Sequence, residues 1–202
     1  MVYSSAAKFP TLAETTIAFQ VYDTRSELPS IKLDGYIGSG SPANITEDHH
    51  LPWVKRYVNW IQFMHKNHHP DTDTPVKGRV FGICFTHQAT AYALDGTVAY
   101  NPSRQWELGL RKVNVLQEKD FMIPRPSNQT DKESSPLPVV SLAAFHTQQV
   151  TSPPEAADHL GTSLSCPFEV LFYHHPENEY GHILTFQTHP EKLTKEEINK
   201  RM

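Results

Sequence analysis

A short apolar run that leads directly into a helix at a cysteine places the strongest constraint on how this chain folds. Residues 79–84 read Arg-Val-Phe-Gly-Ile-Cys, which is typical of a buried parallel strand. Residues 86–94 then show helical spacing up to an Asp-Gly stop. Because parallel strands are joined by helical crossovers, this unit predicts an α/β fold with Cys84 at the carboxyl end of a strand.

Strands and helices alternate along the rest of the chain. Apolar spacing predicts an amphipathic helix over residues 51–65, whose aromatic stripe of Trp53, Tyr57 and Trp60 is more typical of core packing than of a cofactor site. Strands are predicted at residues 17–22, 36–37, 97–100, 108–115, 139–145, 168–173 and 182–186, an exposed loop at 117–138 and a short charged helix at 193–201. We therefore expect residues 1–202 to form a single domain, a three-layer α/β structure with an open, mostly parallel sheet and helices on both faces.

Composition narrows the functional classes. The chain has 18 Lys and Arg against 22 Asp and Glu, a net charge of −4, which gives no electrostatic support for nucleic-acid binding. Two cysteines cannot form a disulfide framework, so we expect a reducing compartment and a cytoplasmic protein. The sequence contains neither a bilayer-spanning apolar run nor a secretory signal, which argues against a membrane partner.

Histidines are numerous, but their spacing does not favour a metal site. His49 and His50 precede the predicted helix, whereas His65, His68 and His69 follow its apolar stripe. Ligands separated by fifteen helical residues do not converge on one ion. We expect neither a metal nor a cofactor.

The two cysteines stand in different contexts. A tight turn from strand to helix exposes a side chain in the manner of a hydrolase nucleophile, and the helix N-terminus favours the thiolate of Cys84. A buried structural thiol is the alternative at this position. Cys166 has no strand-to-helix context, so we predict that it is structural.

A general base for such a nucleophile is available near the end of the chain. His189 follows a predicted strand, and Glu191 comes two residues later with a proline between them. In a Cys-His-acid arrangement, the histidine moves the proton and the acid orients the imidazole. The alternative is that residues 189–191 merely begin a surface helix.

Five stretches of this sequence together carry a family resemblance. Residues 82–88 match G-x-C-x-G-x-Q except at Thr86, and residues 186–191 give F-Q-x-H-P-E. Three further stretches are similar to family motifs: residues 101–109 to N-P…W-E-x-G, residues 145–150 to S-H-x-D-x-V, and residues 34–42 to an oxyanion loop. Their order and spacing resemble those of class I glutamine amidotransferases, in particular stand-alone fungal amidotransferase-like proteins and plant γ-glutamyl peptidases. The resemblance covers residue 17 to the end and implies a flavodoxin-like sheet.

The resemblance also implies roles for individual residues. Cys84 would attack the γ-amide of glutamine or of a γ-glutamyl compound, His189 would move the proton and Glu191 would orient His189. Backbone N–H groups at Gly40 and Phe85 would hold the oxyanion. Gln88 and His146 match positions near the substrate pocket. A γ-glutamyl thioester would form, and a separate synthetase would be the partner that uses released ammonia.

Departures from the family pattern support an alternative. Thr86 and Thr188 stand at usual glycines, so we expect crowding at the nucleophile turn and a shifted imidazole, and Gln148 replaces a frequent Asp. The first strand of the family has no clear candidate here, and the chain ends soon after Glu191, which suggests a domain shortened at both ends. The alternative hypothesis is a degenerate, catalytically impaired binding protein or a truncated gene product.

Overall fold

Among the residues that the structure describes, a seven-stranded sheet forms the frame that carries Cys84. The computed structural model describes residues 18–68, 78–116, 139–175 and 181–192, together with the backbone of residues 3–4. The main sheet contains β3 (Gly35–Gly38), β4 (Arg79–Ile83), β6 (Glu107–Val115), β7 (Val139–His146), β9 (Ala157–Thr162), β10 (Val170–His174) and β11 (Gly181–Phe186). Two short ladders pair β1 (Tyr3–Ser4) with β2 (Ala18–Phe19), and β5 (Thr97–Tyr100) with β8 (Gln148–Ser152).

The order of the main strands brings three strand ends together. The order is β3-β4-β11-β10-β9-β6-β7, in which β4 runs parallel to both β3 and β11 and the remaining neighbours are antiparallel. Only β10 and β6 therefore oppose the common direction of the other main strands. Gly38 pairs with Gly82, and Ile83 pairs with Phe186. The segments that follow β3, β4 and β11 consequently leave the sheet at the same edge.

In the described parts of the chain, two helices cover one face of this sheet. They are α2 (Pro52–Lys66) and α3 (Phe85–Ala93), and a short α1 (Ile45–Asp48) precedes them. Buried side chains of α2 and α3 form one apolar cluster with Leu171, Tyr173 and Ile183 of the sheet. Each large side chain buried there contributes roughly 1.5–3 kcal/mol. The predicted helix and the core role of its aromatic stripe are confirmed, since Tyr57 and Trp60 are buried.

The opposite face of the sheet carries a smaller cluster, built from Val113, Leu142, Leu160 and Val170. Within the described ranges, no helix contributes to this cluster. The overall arrangement nevertheless agrees with the predicted flavodoxin-like class of fold.

Some elements differ from the sequence prediction. The strand predicted at 17–22 is reduced to β2, and it pairs with β1 rather than with the main sheet. The strands β8 and β9 were not expected, because their sequences are rich in polar residues. The predicted loop at 117–138 and helix at 193–201 lie outside the described residues. Among the helices that the structure describes, none has the length and apolarity to cross a membrane.

Candidate active site

Cys84 occupies a strained turn between β4 and α3. Its φ is 52° and its ψ is −102°, a left-handed conformation that residues with a side chain rarely adopt. The turn is held by the Cys84 N–H, which donates to the Phe186 carbonyl at 2.7 Å, and by the Gln88 N–H, which donates to the Cys84 carbonyl at 3.1 Å. Strain of about 1–3 kcal/mol stored at one residue is typical of a functional position.

The Cys84 thiol is mostly buried and lines a cavity of about 340 Å³. Burial raises the pKa of Cys84 to about 11; the Phe85 backbone N–H opposes this shift, and the Glu191 carboxylate adds to it. The sequence led us to expect that the helix N-terminus would favour the thiolate. Burial outweighs that effect here, so the resting group is a protonated thiol.

His189 and Glu191 form a bonded pair beside the same cavity. The backbone N–H of His189 donates to the Ala143 carbonyl of β7 at 2.7 Å, which fixes where the chain passes after β11. The imidazole Nδ1 lies 2.7 Å from Oε1 of Glu191, within a 3₁₀ turn at Pro190–Lys192. A short 3₁₀ turn does follow His189, but the histidine itself precedes that turn and its side chain is buried against the cavity rather than exposed.

Sulfur and imidazole flank Gly40 without bonding to each other. A Cβ on Gly40 would stand 3.1 Å from His189 Cε1 and 3.7 Å from Cys84 Sγ. Among the described residues, the buried Nε2 of His189 has no hydrogen-bond partner, whereas the thiol donates weakly to the Phe145 carbonyl at 3.8 Å. The resting thiol therefore bonds to a backbone carbonyl, and Nε2 of His189 is left available to accept a proton.

The two expected oxyanion donors lie close to the sulfur. Phe85 is the first residue of α3, so its N–H has no partner within the helix, and it lowers the pKa of the adjacent thiol. Gly40 lines the cavity beside Cys84. An oxyanion formed on a carbon bonded to Sγ would lie near both residues.

Gln88 and His146 also line the cavity, with different constraints. The Gln88 amide donates to the Gln148 carbonyl at 2.8 Å and to Oε1 of Gln187 at 3.2 Å, so its N–H groups organise the pocket wall. His146 lies 3.5 Å from Glu107, but burial lowers its pKa to about 4, against the opposing effect of that carboxylate. Burial therefore favours the neutral form of the His146 imidazole.

Thr86 links the nucleophile helix to the Gly40 loop. Its hydroxyl donates to the Ser39 carbonyl at 3.0 Å and lies 2.9 Å from the Tyr57 hydroxyl. We call these three residues the hydroxyl bridge. The expectation of crowding is wrong: Thr86 is helical, and Gly38 and Gly82 leave the space that its side chain fills.

The hydroxyl bridge was not expected from the sequence. Tyr57 stands in an apolar helical stripe and Ser39 in a plain turn, so neither carries a signal of its own. Thr188, the other position expected to disturb the site, is fully buried with no hydrogen bond to its hydroxyl in the described parts of the chain.

Other predicted features fall outside the site. Cys166 is buried, and burial raises the pKa of its thiol well above the ordinary value. His49 and His50 are exposed, whereas His65 and His68 are buried, and His69 lies outside the described residues. No group of three metal-ligating side chains converges in the part of the chain that the structure describes.

Comparison with known proteins places this geometry in context. No family model matches the chain. A glutamine amidotransferase-like protein of Schizosaccharomyces pombe is 24% identical over 184 residues, which cover 89% of this chain and 62% of that protein. Gamma-glutamyl peptidase 2 of Arabidopsis thaliana is 28% identical over 116 residues, 57% of this chain and 41% of that protein. The chain thus spans about three fifths of the length of the fungal relative.

A solved structure supports the same assignment of the fold. A glutamine amidotransferase of Thermotoga maritima matches with a TM-score of 0.55 at 19% identity, over 76% of this chain and 55% of that one. Likeness at this identity concerns the fold alone. The relatives and the fold agree with the resemblance inferred from the motifs: this chain is similar to glutamine amidotransferase-like proteins and has the fold of class I glutamine amidotransferases.

Proposed function

We propose that the chain is a cysteine hydrolase that cleaves the γ-amide of glutamine or of a γ-glutamyl compound through a γ-glutamyl thioester. The observation that carries the proposal is the strained turn at Cys84, which opens on the same cavity as the bonded pair of His189 and Glu191. The named relatives support the broader class, a glutamine or γ-glutamyl amide hydrolase.

The first half of the reaction makes the thioester. His189 Nε2 accepts the Cys84 proton once substrate is bound, because a thiol with a pKa near 11 is not ionised beforehand. Sγ attacks the amide carbon, and the N–H groups of Phe85 and Gly40 stabilise the oxyanion. One such donor is worth roughly 3–4 kcal/mol of barrier. The C–N bond then breaks, and His189 returns its proton to the leaving amine.

The second half releases glutamate. Water gives a proton to His189 and attacks the thioester carbon. The C–S bond then breaks, and His189 returns the proton to the sulfur, which restores the thiol. Glu191 holds the imidazole in orientation throughout, while Gln88 and His146 bound the pocket for the γ-glutamyl group. With glutamine as the substrate the leaving amine is ammonia, and its use by a separate synthetase stays a prediction.

The test is release of glutamate from glutamine and from γ-glutamyl dipeptides. We expect release by the wild type and by Cys166→Ser, a matched control in which the other buried thiol is changed, and none by Cys84→Ser. Absence of Cys84-dependent release from every substrate refutes the proposal.

The alternative, a catalytically impaired binding protein, has one observation in its favour. The resting thiol bonds to the Phe145 carbonyl rather than to His189. Because burial lowers the reactivity of the thiol under either hypothesis, turnover rather than alkylation separates the two.

A further inference from the structure

Two aromatic side chains stand exposed at the mouth of the cavity. Trp106 is 55% exposed and Phe145 is 52% exposed, and their ring centroids lie 5.0 Å apart with a 41° tilt. Both residues line the cavity that contains Cys84. Large aromatic side chains that are half exposed beside a concave site commonly contact a ligand.

The strand that carries Phe145 lies beside both the nucleophile and the base. The Phe145 carbonyl accepts a weak hydrogen bond from the Cys84 thiol. The backbone N–H of His189 donates a hydrogen bond to the carbonyl of Ala143, in the same strand. In the proposed reaction, the leaving nitrogen must reach His189 to receive its proton. Because His189 is bonded to the strand that carries Phe145, a substituent on that nitrogen would enter the part of the cavity that the aromatic pair lines.

Lys192 places a positive charge beside the aromatic pair at the mouth of the cavity. Nζ of Lys192 lies 5.6 Å from the centroid of the Phe145 ring, and Lys192 also lines the cavity. Among the described residues that line it, Lys192 is the only lysine or arginine. The nearby carboxylate of Glu191 is already bonded to His189. The lysine is thus placed to meet an anionic group on a ligand that rests against the aromatic pair.

We propose that Trp106, Phe145 and Lys192 form a leaving-group subsite, and that it selects γ-glutamyl dipeptides whose second residue has an aromatic side chain and a free carboxylate. The inference rests on the proposed function and adds the substrate class. In the reaction, the bond between the γ-carbonyl carbon and the dipeptide nitrogen breaks, a C–S bond to Cys84 forms, and the free aromatic amino acid leaves with the proton from His189. Water then converts the thioester to glutamate. Glutamine, which loses only ammonia, leaves this subsite empty.

The experiment compares four substrates: glutamine, γ-glutamylglycine, γ-glutamylphenylalanine and γ-glutamylphenethylamide, which has the ring but lacks the carboxylate. Burial of the ring predicts that kcat/KM for γ-glutamylphenylalanine exceeds that for γ-glutamylglycine by about tenfold. Pairing of the carboxylate with Lys192 predicts that kcat/KM for γ-glutamylphenylalanine exceeds kcat/KM for γ-glutamylphenethylamide by about threefold.

Variants assign each preference to its residue. Trp106→Ala should abolish the preference over γ-glutamylglycine, and Lys192→Gln should abolish the preference over the phenethylamide. Leu110→Ala, which changes an exposed side chain farther along β6, and Lys112→Gln, which removes an exposed lysine of the same strand, should keep both ratios.

A binding measurement separates failure of the subsite from failure of the proposed function. Calorimetry with Cys84→Ala should show that γ-glutamylphenylalanine binds more tightly than γ-glutamylglycine, and that Trp106→Ala removes the difference. That result without Cys84-dependent hydrolysis supports the subsite and refutes the hydrolase. Equal kcat/KM for all four substrates, unchanged in ratio by Trp106→Ala and Lys192→Gln, overturns the subsite and leaves the hydrolase standing.

Discussion

Replacing Thr86 by valine tests whether the hydroxyl bridge holds the Gly40 loop in its working position. Valine keeps the shape of the side chain but removes the hydroxyl that bonds to Ser39 and Tyr57. Gly40, one residue after Ser39, lies beside both Cys84 and His189. Loss of the bridge should therefore affect both folding stability and the placement of an oxyanion donor.

The burial of Tyr57 sets the size of the effect on stability. Tyr57 is buried, so its hydroxyl loses its partner without gaining water, at a cost of about 1–3 kcal/mol. For a chain of this length, that corresponds to a fall in Tm of about 2–12 °C. Displacing the loop by about 1 Å would lower the rate by roughly a hundredfold. The catalytic loss should appear mainly in kcat, because the donor acts on the oxyanion rather than on bound substrate.

Thermal unfolding and steady-state kinetics of glutamate release measure the two effects. Thr86→Ser keeps the hydroxyl and should recover most of both losses. In Tyr57→Phe, Thr86 still reaches Ser39, so stability should fall by less, by about 0.5–1.5 kcal/mol. The double variant should be less unstable than the two single changes combined, since Thr86→Val has already orphaned the Tyr57 hydroxyl. A valine variant as stable and as active as the wild type would refute the role of the bridge.

Three more predictions follow from glycine contacts and from buried ionisable groups. Gly40→Ala should reduce kcat/KM by about a hundredfold with little change in Tm, because the added methyl group would stand 3.1 Å from His189 Cε1 and 3.4 Å from Cys84 Cβ; full activity would contradict the proposed site. In a Cys166→Ser background, iodoacetamide labelling of Cys84 should be slow at pH 7 and rise toward pH 11, as burial raises the pKa of the thiol; fast labelling at neutral pH would show that it is ionised at rest. Burial raises the pKa of Glu169 from 4.5 to about 7, so the stability due to its neutral form is present below pH 4.5 and is lost as pH rises through 7. Glu169→Gln should therefore raise Tm more at pH 8 than at pH 5, and an equal effect at the two pH values would contradict that shift.

The sequence predicts the elements that bear the site because their signals are local. The apolar run before Cys84 and the helical spacing after it correspond closely to β4 and α3, and the segments after three parallel strands do meet at one edge of the sheet. The strands β8 and β9, in contrast, have no local sequence signal that predicts them. Their polar residues gain strand structure from pairing with β5 and β10, which local spacing does not reveal.

Effects that depend on packing could not be predicted from single positions. In the sequence, Thr86 indicated crowding of the turn at the nucleophile. The space for its side chain is left by Gly38 and Gly82, which approach Thr86 only in the folded chain. The pKa of Cys84 likewise follows from burial in the folded chain rather than from its place at a helix start. Sequence reasoning therefore located the candidate nucleophile and misjudged its resting state.

Mass spectrometry of the acyl-enzyme tests the central claim most directly. The protein is mixed with a γ-glutamyl substrate, quenched in acid within the first turnovers and digested. We predict a γ-glutamyl group on the peptide that contains Cys84 and none on the peptide that contains Cys166. An unmodified Cys84 under conditions in which glutamate is released, or a γ-glutamyl group on another residue, would contradict the account.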